Sequence, residues 1–272
     1  MQLHPSFVDW LRLREPADAS ARAVELLDSV RRLPGIDETV IHDLGAGTGS
    51  MLRWLAPRLS GAQRWVLYDH DADLLLHAAA AAPAVAGDGS PVRVEIRQRD
   101  ITRLTAADLG DASLITASAL LDMLTLDELE RLTAACVGAG SPTLFMISVT
   151  GRVKLSPVDP LDDVVAAAFN DHQRRLLGDR ALLGPDAVEA CVAAFTRRGA
   201  NVVLRPSPWR LGADQSHLTA AWFTGWLEAA CEQRPDLHER TRLYRHRRLN
   251  EVAQGRLSVV VDHVDLLAGT RW

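Results

Sequence analysis

Val40-Ile41-His42-Asp43-Leu44-Gly45-Ala46-Gly47-Thr48-Gly49-Ser50 is the stretch that decides how this chain is read. A short apolar run ends in an acid, and glycines follow at alternate positions. Apolar residues then return at helical spacing at Met51, Leu52, Trp54 and Leu55. Alternate glycines open backbone conformations closed to other residues and let a ligand lie against bare main chain. A strand, a turn and a helix in that order also turn the helix-start amides toward that ligand. The nearest alternative is the dinucleotide pattern Gly-x-Gly-x-x-Gly. Here the spacing is Gly45-x-Gly47-x-Gly49, and Ser50 stands where the third dinucleotide glycine belongs. Asp43, two residues before the first glycine, would repel a pyrophosphate and attract an ammonium group. The turn therefore suits a nucleoside that carries a cationic amino acid.

Two further elements continue the series. The apolar strand Trp65-Val66-Leu67-Tyr68 ends at Asp69, an acid about 20 residues beyond the glycines and placed to accept hydrogen bonds from ribose hydroxyls. His70 follows it, beside the expected adenine edge, and Asp71 is the expected N-cap of a helix over 72–82. Val92-Arg93-Val94-Glu95-Ile96-Arg97 alternates apolar and charged residues and leads to Arg99-Asp100-Ile101.

Together these residues resemble the class I, Rossmann-like methyltransferases that use S-adenosylmethionine, whose first motif is acid-x-Gly-x-Gly-x-Gly. The resemblance covers residues 36–150 well and is weaker at 185–205 and 257–263. It implies S-adenosyl-L-methionine as cofactor, held by Asp43, Gly45, Ala46, Gly47 and Gly49 at the first turn and by Asp69 and His70 at the second. It also implies that Asp100 takes the adenine amino group while Ile101 packs on the ring. The implied fold class is α/β: a doubly wound, seven-stranded, mostly parallel sheet with an antiparallel last strand, N-terminal helices and helical insertions.

Alternation of strands and helices along the chain agrees with a parallel sheet covered on both faces. Apolar spacing at Phe7, Trp10, Leu11 and Leu13 predicts a first helix, a break at Glu15-Pro16, and a second helix from 17 to 33 ended by Pro34-Gly35. A short helix is expected near Ala106. Strands are expected at 113–117, 143–149, 201–205 and 257–263, and Thr125 and Glu128 are spaced as a capping box. Residues 1–272 read as one domain, with N-terminal helices at 1–35 and helical insertions at 151–183 and 206–255 that form a substrate lid. Trp222 and Trp226 read as helix-packing core. Trp209, in a Pro-flanked loop, reads either as core or as a wall of the substrate pocket.

Composition narrows the partners. A net charge of −5 gives no basic stripe for nucleic acid. The run Arg240, Arg242, Arg245, His246, Arg247 and Arg248 contains one aromatic, Tyr244, and reads as a solvated helix face, with an RNA methyltransferase as the alternative. Cys136, Cys191 and Cys231 are widely spaced, so neither zinc nor a disulfide framework is indicated, and no metal is expected. No charged-then-apolar leader and no membrane-length apolar run are present, and the expectation is a soluble, cytoplasmic protein. The sequence leaves the oligomeric state open.

Methyl transfer needs the nucleophile held about 3 Å from the methyl carbon with water excluded. Residues after the fourth and fifth strands, Ser118, Asp122, Ser148 and Thr150, fall at that point of an open α/β sheet. Ser118 is grouped with the cofactor residues. An acceptor that must lose a proton calls for a base. His172, in the polar run Asn170-Asp171-His172-Gln173, is the first candidate, followed by Asp122 and His217. Arg14 and Arg22 read as helix-surface arginines or as partners of the cofactor carboxylate. The expected activity is methyl transfer to a small-molecule acceptor, with a non-catalytic S-adenosylmethionine-binding protein as the alternative. A nicotinamide-dependent oxidoreductase is disfavoured by Ser50.

Overall fold

Trp65 and Leu67 bury on one face of the second strand, and Val66 and Tyr68 on the other. Only a strand covered by helices on both faces reads this way. The computed structural model describes residues 7–30 and 38–270. In chain order it has α1 (Phe7–Ala21), α2 (Leu27–Val30), β1 (Thr39–Leu44), α3 (Ser50–Leu55), β2 (Gln63–Asp69), α4 (Ala72–Ala80), β3 (Val92–Gln98), β4 (Leu114–Ser118), α5 (Leu126–Ala139) and β5 (Thr143–Ser156). There follow α6 (Asp162–Gln173), a hairpin of β6 (Leu176–Leu177) and β7 (Arg180–Ala181), α7 (Ala187–Arg197), β8 (Asn201–Pro206), β9 (Trp209–Leu211), α8 (Ser216–Gln233), α9 (Leu237–Ala253) and β10 (Ser258–Gly269).

The main sheet has the order β3-β2-β1-β4-β5-β10-β8, and β9 also pairs with β10. Strands β1 to β5 run parallel, while β10 is antiparallel to both β5 and β8. The order reverses between β1 and β4, the switch point outside which open α/β sheets bind ligands. One face is filled by residues such as Leu129, Leu132, Phe145 and Phe195, the other by Leu52, Leu55, Leu75 and Met146. A third cluster lies away from the sheet centre and includes Val165, Trp209, Trp222, Phe223, Trp226 and Tyr244. It is carried by α6, α8, α9 and the outer parts of β5 and β10, and is called the cap below.

Local signals placed several boundaries well. Asp71 caps α4 by accepting from the Asp73 and Leu74 amides, and Thr125 and Glu128 form the capping box of α5. Other expectations need correction. Pro16 does not break the first helix, because α1 runs through it. The lost helical hydrogen bond, worth about 3 kcal/mol, is opposed by tertiary anchors. Arg14 donates to Asp18 at 3.0 and 3.2 Å, Arg53 pairs with Glu15 at 2.6 Å, and Trp54 Nε1 donates to the Ala19 carbonyl. The expected second helix is reduced to a 3-10 turn at Val24–Leu26 followed by α2, and residues 1–6 and 31–35 of the N-terminal segment lie outside the described residues. No helix forms near Ala106; a 3-10 turn at Ile101–Arg103 and bare turns occupy that stretch. Strands β5 and β10 run seven and six residues past their expected ends at 149 and 263, because each completes the other's ladder as far as Ser156 paired with Ser258. The first insertion therefore begins as strand.

Candidate functional site

Gly45, Gly47 and Gly49 all take left-handed φ, from +53° to +83°. At Gly49 the need is also steric, since an added Cβ would lie 3.0 Å from the Ala78 Cβ. Asp69 reaches the same turn from the end of β2. Its Oδ2 accepts the Gly47 amide at 2.9 Å, and its Oδ1 accepts the Asp71 amide at 3.0 Å. The turn is thus tied to the second strand through its carboxylate. The Ala46 amide goes to the Tyr68 carbonyl and the Gly49 amide to the Ala46 carbonyl. These three turn amides therefore serve the fold itself.

Asp43 is fully enclosed. Thr116 donates to its Oδ1 at 2.7 Å, while its Oδ2 has no hydrogen-bond partner among the described residues. Burial raises the Asp43 pKa to about 7, against the pull of Thr116 and of nearby Arg22. Arg22, 3% exposed, reaches over from the end of α1. Its Nη2 donates to Ser50 Oγ at 3.0 Å and to Ser118 Oγ at 3.1 Å, its guanidinium lies over the Trp54 ring, and its Nε is buried without a partner. Burial lowers the Arg22 pKa, opposed by Asp18, Asp265 and Asp43. The site thus holds one orphaned acceptor and one orphaned donor. That pair is complementary to the ammonium and carboxylate of an amino-acid zwitterion. The hydrophobic walls are Leu120, 3.0 Å from where a Gly45 Cβ would sit, and Leu11 of α1, 3.5 Å from where a Gly47 Cβ would sit.

At the second and third strand ends, His70 is exposed, with Nδ1 3.2 Å from Asp69 Oδ1. Asp100 caps the 3-10 turn, accepting from the Thr102 amide and hydroxyl, and the hydroxyl bond lowers its pKa. Ile101 behind it is buried. These residues line the carboxyl edge of the sheet in the order the sequence suggested.

The candidate bases separate. Asp122 lies in the 3-10 turn after β4, and burial raises its pKa, with Arg14 and Arg175 acting against the rise. His172 closes α6, and each ring nitrogen faces a charged group: Nε2 is 3.2 Å from Glu232 and Nδ1 3.4 Å from Arg175. His217 is exposed in the first turn of α8. His42, read as a strand residue, packs beside Tyr68 with Nε2 3.0 Å from Asp111, and burial lowers its pKa. Trp209 is core rather than the wall of an open pocket. It is buried on β9, its Nε1 donates to Asp18 at 2.9 Å, and Arg14 covers its ring at 5.0 Å. Thr150 donates to the Asp262 carbonyl, and Ser148 Oγ is buried without a partner among the described residues.

Sequence reasoning passed over two groups, Thr116 and Asp265. Both are polar residues inside apolar strands, Leu114-Ile115-Thr116-Ala117 and Val264-Asp265-Leu266-Leu267. A buried polar residue of that kind must find partners, and that was the available signal.

No curated protein matches the chain by sequence. Among solved structures, the cyclopropane synthase MmaA2 from Mycobacterium tuberculosis aligns with 97% of this chain and 94% of its own at 14% identity and a TM-score of 0.51. The YcgJ protein from Bacillus subtilis aligns with 92% and 98% at 11% identity and a TM-score of 0.49. A methyltransferase from Geobacter sulfurreducens in complex with S-adenosylhomocysteine aligns with 95% and 98% at 15% identity and 0.42. Residues 41–142, from β1 to the end of α5, match the family model of a methyltransferase domain. That span, glycine turn and strand-end acids included, is similar to a methyltransferase domain, and the sheet that carries it shares its fold with the solved structure of MmaA2.

Proposed function

We propose that the chain transfers a methyl group to a small-molecule acceptor held between the switch-point edge of the sheet and the cap. The observation that carries this reading is the charge pair at the first turn: Asp43 Oδ2 and Arg22 Nε, buried and unpartnered beside three left-handed glycines. S-adenosylmethionine supplies an activated methyl carbon on a sulfonium. Asp43 would hold its ammonium, Arg22 its carboxylate, Asp69 the ribose hydroxyls through its remaining lone pairs, and Asp100 with Ile101 the adenine. The acceptor atom then approaches from the side of Ser118 and Asp122, where orientation and exclusion of water can supply about 7–11 kcal/mol of barrier reduction.

For an acceptor that must lose a proton, Asp122 is the better-placed group. Burial gives its carboxylate a greater appetite for a proton. His172 has both ring nitrogens engaged, and His217 faces solvent. A lid built from 151–183 and 206–255 is supported by the cap core, against which Trp10, Leu13 and Ala17 of α1 also pack.

The basic run on α9 favours the small-molecule reading over RNA. Arg240 pairs with Asp236, Arg245 with Glu228, Arg247 with Asp159, and Arg248 with Asp162 and Glu251, so these cations are already partnered. Radiolabelled S-adenosylmethionine incubated with the protein and either a low-molecular-weight cell extract or purified RNA tests the assignment. Label in a small organic product supports it; label in RNA alone refutes it.

A further inference from the structure

Between Val264 paired with Ser148 and Leu266 paired with Phe145, β10 has one residue, Asp265, where β5 has two, Met146 and Ile147. This is a β-bulge, the device by which a strand re-aims a side chain near a site. Ile147 takes φ +55°, a left-handed conformation costly for a β-branched residue. In consequence Met146 and Ile147 bury in the same cluster, and strand alternation is broken. The bulge also leaves the Ile147 amide without a ladder partner. Asp265, fully buried, takes it: Oδ1 accepts the Ile147 amide at 2.7 Å and the Ser207 hydroxyl at 2.6 Å. Its Oδ2 accepts the Ala23 amide at 2.7 Å, across 242 residues of sequence. Ala23 follows Arg22 directly, and Ser148 follows Ile147 directly.

We infer that Asp265 is a positioning residue for the methyl-transfer site, setting Arg22 through the Ala23 amide and Ser148 through the Ile147 bulge. One carboxylate thereby fixes, in a single frame, the guanidinium at the methionine end and the Ser148 hydroxyl, two residues past the last β4–β5 pair and without a partner among the described residues. Asp265 accepts at both oxygens, and these bonds oppose the rise in its pKa that burial causes. It faces the buried Arg22 cation, and three donors converge on two oxygens. An amide in its place would turn an N–H toward one of those donors.

This inference rests on the cofactor assignment above, and the experiment separates the two. Calorimetry is run on the parent, Asp265→Asn and Ala23→Pro, with S-adenosylhomocysteine and with 5′-methylthioadenosine, which lacks the amino-acid end. Proline at 23 suits the Ala23 φ of −73° but removes the donor, sets its ring against Asp265 Oδ2 and restrains the backbone of Arg22, so it breaks the link from both sides. Both variants are expected to bind S-adenosylhomocysteine about 10- to 100-fold more weakly, with 5′-methylthioadenosine unchanged. A general loosening of the fold would weaken both ligands alike and overturn the inference, as would parent-like binding of both. Should Asp265→Asn fail to fold, the Ala23→Pro comparison decides alone. A parent that binds neither ligand overturns the cofactor assignment, and this inference with it.

Discussion

Two buried acids, Asp43 beneath the glycine turn and Asp162 in the cap, solve the same problem in opposite ways. Asp162 is saturated. Arg248 donates to both of its oxygens at 2.6 Å, Tyr244 at 2.8 Å and the Asp159 amide at 2.9 Å. Arg248 itself is 1% exposed and also bonds Glu251 and the Pro157 carbonyl. Asp43 has one hydroxyl donor and a bare oxygen. The contrast holds for the two carboxylates: Asp162 has its acceptors filled, Asp43 has one free, while Arg248 and Arg22 each keep an Nε without a partner among the described residues.

Breaking the saturated side should cost most. Arg248→Met leaves Asp162 buried without its cation, and urea unfolding should show a loss of about 3–5 kcal/mol, partly restored when Asp162 is replaced by Leu as well. On the open side, Gly47→Val forces a branched residue to φ +53°. It is expected to weaken S-adenosylhomocysteine binding by about 100-fold or more in calorimetry. Asp43→Asn should weaken the same ligand by about 10- to 100-fold while leaving the ligand-free melting temperature equal or higher, the reverse of the cap variant.

A pH series sharpens the contrast. Folded Asp43 keeps its proton to about pH 7, while its ordinary pKa is 3.8. As pH rises between those values the unfolded chain loses this proton and the folded one does not, so its contribution to stability falls across that window. Binding a cation favours the ionised form, so affinity should rise about tenfold from pH 6 to 8 and lose that dependence in Asp43→Asn. The smallest effect is expected for His172→Ala. Its ring is engaged by Glu232 and Arg175 at the end of α6, and ligand affinity should stay within about twofold of the parent.

The first half of the domain was legible because its signals are local. Glycine spacing, the acids at the ends of β1 and β2, the Asp71 cap and the Thr125–Glu128 box each lie within a few residues of what they control. The parallel, helix-covered sheet followed from the strand–helix alternation, but its strand order came only with the structure. What escaped was set by distant partners. Pro16 stays helical because Arg53 holds Glu15 just before it and Trp209 and Trp54 hold Asp18 and Ala19 just after it. Trp209 leaves its Pro-flanked loop to pair with Val261, and β5 continues past 149 because β10 is there to receive it. No local pattern announces that Asp265 will meet Ala23.

Helix α1 lies directly above the glycine turn. Leu11 covers Gly47, and Glu15 grips Arg53, which in turn holds the Thr48 carbonyl. A ligand seated on the turn would therefore share a wall with Leu11 and lie under the same helix whose Glu15 braces the loop through Arg53.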